Sequence, residues 1–249
     1  MPPPRILTIA GSDSSGGAGI QADIKTITVL GGYAMSAITA ITAQNSLGVA
    51  AIEVLSPELV AAQIDACLSD IGADAIKLGM LGSPEIANLV AERIAALAVP
   101  VVFDPVMVAT SGAALTDAAT IAAFERLMQL ATLTTPNVAE LATLGGHEGM
   151  AARGVTYLAK GGDGTSERIE DVLVVPGEEP LVMAGTRIHT RHTHGTGCTL
   201  SSAIATYLAK GLPLPEAVDR ARLFVRSALR AAPGFGAGNG PLGHAEARG

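Results

Sequence analysis

The 249-residue chain has a net charge of -7, from 16 basic and 23 acidic residues, and no block of Lys or Arg; this excludes the electrostatic footprint of a nucleic-acid binder. Hydrophobic residues make up 49% of it, yet Asp, Glu, Arg or Gln interrupt every apolar run well short of the ~20 residues needed to cross a bilayer. Two cysteines, Cys67 and Cys198, cannot form a disulfide framework. The apolar run before Asp13 is too short for a signal-peptide core. We expect a single cytoplasmic domain, residues 1–249, that acts on small molecules.

Apolar runs and helical stripes alternate along the chain, which predicts an α/β fold with a mostly parallel central sheet and helices on both faces. A strand over about 5–10 empties into GSDSSGGAGIQAD, residues 11–23, ahead of a helix over 20–30. Such a glycine-rich loop lets backbone approach a ligand closely. No G-x-x-x-x-G-K-[ST] occurs, so a P-loop is excluded. Gly17, Gly19 and Ala22 spell G-x-G-x-x-A, but the strand ends too early and no acidic residue follows near twenty positions on, which argues against a dinucleotide site.

Strands over 34–42 and 48–55 come next, then a helix over 57–70 whose stripe Val60, Ile64, Cys67, Leu68, Ile71 makes Cys67 a core residue. A strand over 73–79 and a helix over 83–97 lead to a strand over 100–104 that ends in Asp104 and Pro105. The Asp104 carboxylate suits a hydrated Mg²⁺, or caps a turn before proline. After a helix over 117–129 and a strand over 132–135, TPNVAEL offers Asn137 as N-cap and Glu140 as its capping-box partner for a helix over 137–144. The strand over 155–160 ends in Lys160 before two glycines, where an ammonium can neutralise phosphate charge. Strands over 169–175 and 181–189, joined at PGEEP, predict an antiparallel edge hairpin.

His194-Gly195-Thr196-Gly197-Cys198 opens a helix over 197–210. The glycines free successive N–H groups and the helix aims its positive end at the same spot, an anion cradle. The same field is expected to lower the thiol pKa of Cys198 and make it a proton acceptor or nucleophile. His189, His192 and His194 fall on different faces of an extended chain, so they do not spell a metal site. A last helix over 214–231 sets Leu214, Val218, Ala221, Val225 and Leu229 on one face and Arg220, Arg222, Arg226 and Arg230 off it. The tail after Ala232 reads as loop, its end disordered. Only four of the sixteen basic residues are Lys, and Lys25, Lys77 and Lys160 lie in glycine-rich or strand-end surroundings. Such positions suit a compact ammonium.

The segments AGSDSSGGAGIQADIKT, TAITAQNSLGV, IKLGMLGS, DPVMVATSG, TPNVAEL, AKGGDG, THGTGCTLSSAI and GNGPLGH together resemble the hydroxymethylpyrimidine/phosphomethylpyrimidine kinases of thiamine biosynthesis, within the ribokinase-like superfamily. Relatives that phosphorylate sugars carry aspartate where Cys198 stands, so the GTGC form resembles pyrimidine or pyridoxal kinases. The resemblance implies an ATP-dependent enzyme that phosphorylates 4-amino-5-hydroxymethyl-2-methylpyrimidine and then its monophosphate. Gly195, Thr196, Gly197 and Cys198 would line the anion hole, with Cys198 as base. Lys160 and Thr196 would contact ATP, and Asp104 and Glu140 would organise Mg²⁺ through water. Gln44, Asp23, Met80, Gly11 and Ala18 would form the substrate pocket. A homodimer is implied as well. Pyridoxal or pyridoxine kinase is the alternative on this scaffold, and a noncatalytic pyrimidine-binding protein the alternative from another class. The segment 141–159 is shorter than the family's, so GHEGMAARG stands where a full helix is expected.

Overall fold

A computed structural model describes residues 2–107, 117–162 and 166–247. The end of DPVMVATSG, from Val108, and Asp163–Gly164 of AKGGDG lie outside the described residues. Nine strands form one sheet among the described residues: β1 (Arg5–Asp13), β2 (Tyr33–Asn45), β3 (Gly48–Val54), β4 (Ala75–Leu78), β5 (Val101–Phe103), β6 (Leu133–Thr134), β7 (Tyr157–Ala159), β8 (Arg168–Val174) and β9 (Leu181–Thr186), in the spatial order β3-β2-β1-β4-β5-β6-β7-β8-β9. From β2 through β7 every pairing is parallel. The expected hairpin is β8–β9, antiparallel to each other and to β7. A second antiparallel edge, β2 with β3, was not expected from the sequence.

Helices cover both faces because the central strands bury both of their faces, as parallel strands must. Leu7, Ile76 and Phe103 face one layer with Val60, Ile86, Val90, Phe124 and Leu127. Their neighbours Ile6, Ala75 and Val102 face the other with Ile27, Ile204, Val218 and Phe224. The first layer contains α2 (Pro57–Asp70), α3 (Pro84–Ile94) and α4 (Ala118–Leu130), the second α1 (Gly19–Val29), α7 (Thr196–Ala209) and α8 (Leu214–Arg230). Ser56, Ser83 and Asp117 start the first three by accepting a backbone N–H from inside the first turn, which satisfies an otherwise orphaned donor. Phe103 meets Phe124 edge to face, ring centroids 5.0 Å apart. Cys67 packs against this core, as its stripe predicts.

The capping box opens α5 (Val138–Thr143), and the shortened segment folds into α6 (Gly146–Arg153). Only Met150 of α6 is buried; Arg153 fastens the helix by bonding Glu125 and the Leu144 carbonyl. With Met150, Val155 and Tyr157 in the core, this one short helix closes the sheet face. Through Ala247 the tail is more than a loop: it makes a 3-10 turn at His244–Glu246, inserts Leu242 and Ala247 into the core, and joins His244 Nε2 to Thr199 Oγ1 at 2.8 Å; Arg248 and Gly249, where disorder was expected, lie outside the described residues. Burial, with Lys25 nearby, lowers the His244 pKa to about 4. Among the described residues no helix is long and apolar enough to cross a membrane.

Candidate active site

A cavity of about 710 Å³ lies across the carboxyl ends of the parallel strands, the place where open α/β sheets bind ligands. From β2 to β8 its lining includes Gln44, Gly11, Ala18, Lys77, Met80, Asp104, Glu140, Lys160 and Asp171, with Gly195, Thr196, Gly197 and Cys198 from the start of α7. Asp23, expected in the substrate pocket, does not line it. It is wholly buried beneath, where Thr8, Lys77 and Ser202 all donate to its carboxylate.

Gly195 is the N-cap of α7 at φ 88°, and no side chain caps the helix. Of the first-turn N–H groups, which have no partner inside a helix, that of Thr196 donates to the Thr193 carbonyl at 3.2 Å, and those of Gly197 and Cys198 are left for a ligand. Opposite them, Lys160 Nζ lies 2.7 Å from Asp104 Oδ1 and 3.9 Å from Glu140 Oε2. Thr135 Oγ1 also donates to Asp104, at 3.0 Å. A Cβ on Gly197 would come within 3.3 Å of Asp104 Oδ2 and 3.5 Å of Lys160 Nζ, so the missing side chain leaves the cradle open toward cation and carboxylate. Burial raises the Glu140 carboxyl to about 7, despite Lys160 and the N–H groups of Asn137 and Met107, and Asp104 adds to the rise. Burial alone would lower Lys160, but Asp104 and Glu140 outweigh it and hold the ammonium charged.

The electrostatics of Cys198 differ from the expectation. Dense surrounding protein pushes the thiol up to about 11, against the pull of Lys77 and with a push from Asp23 and Asp104. Desolvation of the thiolate exceeds the help of the nearby positive charge, so the resting group is a thiol.

Several lining residues escaped the sequence reading. Asp13 collects the N–H groups of Ser15, Gly17 and Ala18, and His194 Nε2 lies 2.8 Å from its Oδ2. Burial opposes ionisation of Asp13, but the His194 bond and the loop donors outweigh it and lower its pKa. The carboxylate accepts, so His194 carries its proton on Nε2; that nitrogen lies 3.4 Å from Gln44 Nε2. His194 thus belongs to this lock, while His189 lies exposed at 3.1 Å from Glu167. No group of three or more His, Cys, Asp or Glu could hold a metal among the described residues. At the β8 end, Ile169, Ile188, Val225 and Leu229 give an apolar wall beside Arg187, Arg222 and Arg226. Arg187 Nη2 is buried without a partner. The arginines of α8 were read only as lying off its apolar face, yet Arg222 bonds Asp171 at 2.7 Å and both Arg222 and Arg226 reach the cavity.

The chain is similar to known proteins in sequence and in backbone. A family described as phosphomethylpyrimidine kinase matches residues 13–243. A hydroxymethylpyrimidine/phosphomethylpyrimidine kinase of Rhizobium meliloti is 46% identical, with 96% of each chain covered. An ADP complex of Bacillus subtilis pyridoxal kinase superposes with a TM-score of 0.88 at 34% identity, covering 98% of both chains. A phosphomethylpyrimidine kinase of Clostridium difficile 630 gives 0.76 at 38% identity, over 90% of this chain and 99% of that one. The fold is ribokinase-like, as the motifs implied, and the chain belongs to the phosphomethylpyrimidine kinase family.

Proposed function

We propose that this chain transfers the γ-phosphoryl group of ATP to the hydroxymethyl oxygen of 4-amino-5-hydroxymethyl-2-methylpyrimidine, and then phosphorylates the monophosphate to the diphosphate used in thiamine assembly. The observation that carries this reading is the uncapped start of α7 facing Lys160 across an opening that Gly197 keeps clear. Phosphoryl transfer demands little covalent chemistry and much positioning and charge stabilisation. The N–H groups of Gly195, Gly197 and Cys198 meet the equatorial oxygens beside Thr196, whose own N–H is held by the Thr193 carbonyl, and Lys160 balances their charge. As the new O–P bond forms and the bond to ADP breaks, the alcohol proton passes to Cys198 in its thiolate form, a small fraction of the resting thiol. The unpartnered Arg187 Nη2, together with the apolar wall of Ile169, Ile188, Val225 and Leu229, supports placing the nucleotide at the β8 end.

Gln44, Gly11, Ala18 and Met80 form the substrate end of this reading. One amide donor and one acceptor of Gln44 match a ring nitrogen beside an exocyclic amine. Asp104 and Glu140 offer only hard oxygens, the donor set of an ion that keeps most of its waters, and they would hold Mg²⁺. Bound there, the ion would neutralise phosphate charge.

Mass spectrometry of the pyrimidine with Mg-ATP tests the reading: mono- and then diphosphate are expected, and no phosphorylated product would overturn it. The close backbone likeness to pyridoxal kinase favours a second reading. Product from pyridoxine or pyridoxal alone, run in parallel, would select it.

The expected homodimer is supported by β3, an edge strand exposed along most of its length. Ile52 and Val54 on β3, with Ile41 and Leu47 beside them, all lie open to solvent. A long apolar edge invites pairing with a like strand, and a second copy of this edge is its occupant. Sedimentation equilibrium is expected to give twice the chain mass, falling to one chain in Ile52→Lys; a wild-type monomer would reject the dimer.

A further inference from the structure

We propose that Lys77, fixed in place by Asp23, is the counter-charge for the anion that forms at Cys198, and thus a positioning residue for phosphoryl transfer. This rests on the reading of Cys198 as proton acceptor. Lys77 is in β4 and is among the largest fully buried side chains of the described residues. Its Nζ lies 2.9 Å from Asp23 Oδ2, and both side chains are 0% exposed. Asp23 in turn takes Thr8 Oγ1 at 2.5 Å and Ser202 Oγ at 2.7 Å. Ser202 lies four residues after Cys198 on α7, so the two share a helix face, and Lys77 and Cys198 line the same cavity. Gly79 makes room for the ammonium, since a Cβ there would come within 2.8 Å of Lys77 Nζ.

Stability does not explain the pair, because apolar residues of similar volume usually serve a core as well as a buried ion pair does. Its position does. The charged groups that act on Cys198 are Lys77 from β4, Asp23 from α1, Asp104 after β5 and Lys160 after β7. The two carboxylates oppose a thiolate. Lys160 lies between two carboxylates, Asp104 and Glu140, whereas Lys77 faces one, Asp23, and it is Lys77 that pulls on the thiol. Asp23 keeps that ammonium protonated: burial alone would lower its pKa, yet the pair holds it above the usual lysine value.

Peptide-resolved iodoacetamide labelling of the full chain at one fixed pH tests this without requiring turnover. The variants are Lys77→Met and the double variant Lys77→Met/Asp23→Asn, which leaves no unpaired carboxylate and keeps the test usable if the single variant does not fold. Cys198 labelling is expected to slow roughly tenfold or more in Lys77→Met, one pKa unit or greater, and to slow in the folded double variant, while Cys67 reacts as before. The kcat–pH profile is expected to move alkaline in step. Unchanged Cys198 labelling in the folded double variant would overturn the proposal. Slower labelling with an unmoved kcat–pH profile would uphold the counter-charge and overturn Cys198 as proton acceptor.

Discussion

Cys198→Ala is expected to lower kcat by about 10²–10⁴-fold, the usual contribution of a positioned general base, while the Kd for the pyrimidine changes little. That loss corresponds to roughly 3–5 kcal/mol of transition-state stabilisation. The cradle and Lys160 survive the change, so residual activity is expected from positioning and electrostatics alone. Since the thiol of the free protein is pushed up to about 11, only a small fraction is thiolate at neutral pH, and that fraction grows tenfold per pH unit. In the wild type kcat/KM, which reports the free enzyme's groups, should therefore still be rising with pH above the knee near 7 set by Glu140. Cys198→Ala should flatten the rise above the knee, and Glu140→Gln should remove the knee itself. Stopped-flow or coupled assays across pH separate the two. A Cys198→Ala enzyme within threefold of wild type would leave backbone positioning as the main catalytic term. Cys198→Asp places there the carboxylate that the sugar-phosphorylating relatives carry and is expected to retain part of the activity.

Much of the architecture was legible because burial imposes periods. Alternate residues such as Ile6 and Leu7 serve opposite layers, and the stripe on α8 shows its buried face directly. The cradle was legible for a related reason, since glycine density before a helix is local information. What escaped depends on partners distant in the chain. The Asp13–His194 lock joins residues 181 positions apart, and in sequence the same aspartate is only a turn residue and the same histidine one of three. Helix α6 escaped because GHEGMAAR buries a single residue and carries no stripe. The Cys198 pKa was misjudged in sign because the sequence shows the helix start but not the depth of protein around the sulfur. Lys77 stood out only as a rare lysine near a strand end. Its burial became visible once β4 was placed between β1 and β5.

Gly195→Ala is expected to reduce kcat by at least 10²-fold and to lower the Tm, because two independent constraints meet at this position. At φ 88° any L-residue is strained, by roughly 1–2 kcal/mol. The new Cβ would also collide with the Gly17 carbonyl and lie 3.2 Å from the Ala18 Cα. Neither neighbour can yield cheaply, since Asp13 holds both Gly17 and Ala18 by their N–H groups and is itself held by His194. The start of α7 must move instead, and with it the N–H groups that meet the phosphoryl oxygens. Loss of one such donor costs about 10²–10³ in kcat where it has been removed singly. Gly211→Ala provides the control. Gly211 has φ 83° but nothing within 4 Å of a Cβ, so it should show the strain alone, a Tm drop of roughly 2–8 °C for a protein of this size, with kcat unchanged. A Gly195→Ala enzyme that matched Gly211→Ala in both Tm and kcat would mean that the cradle tolerates displacement, and that positioning at the start of α7 is not what drives the transfer.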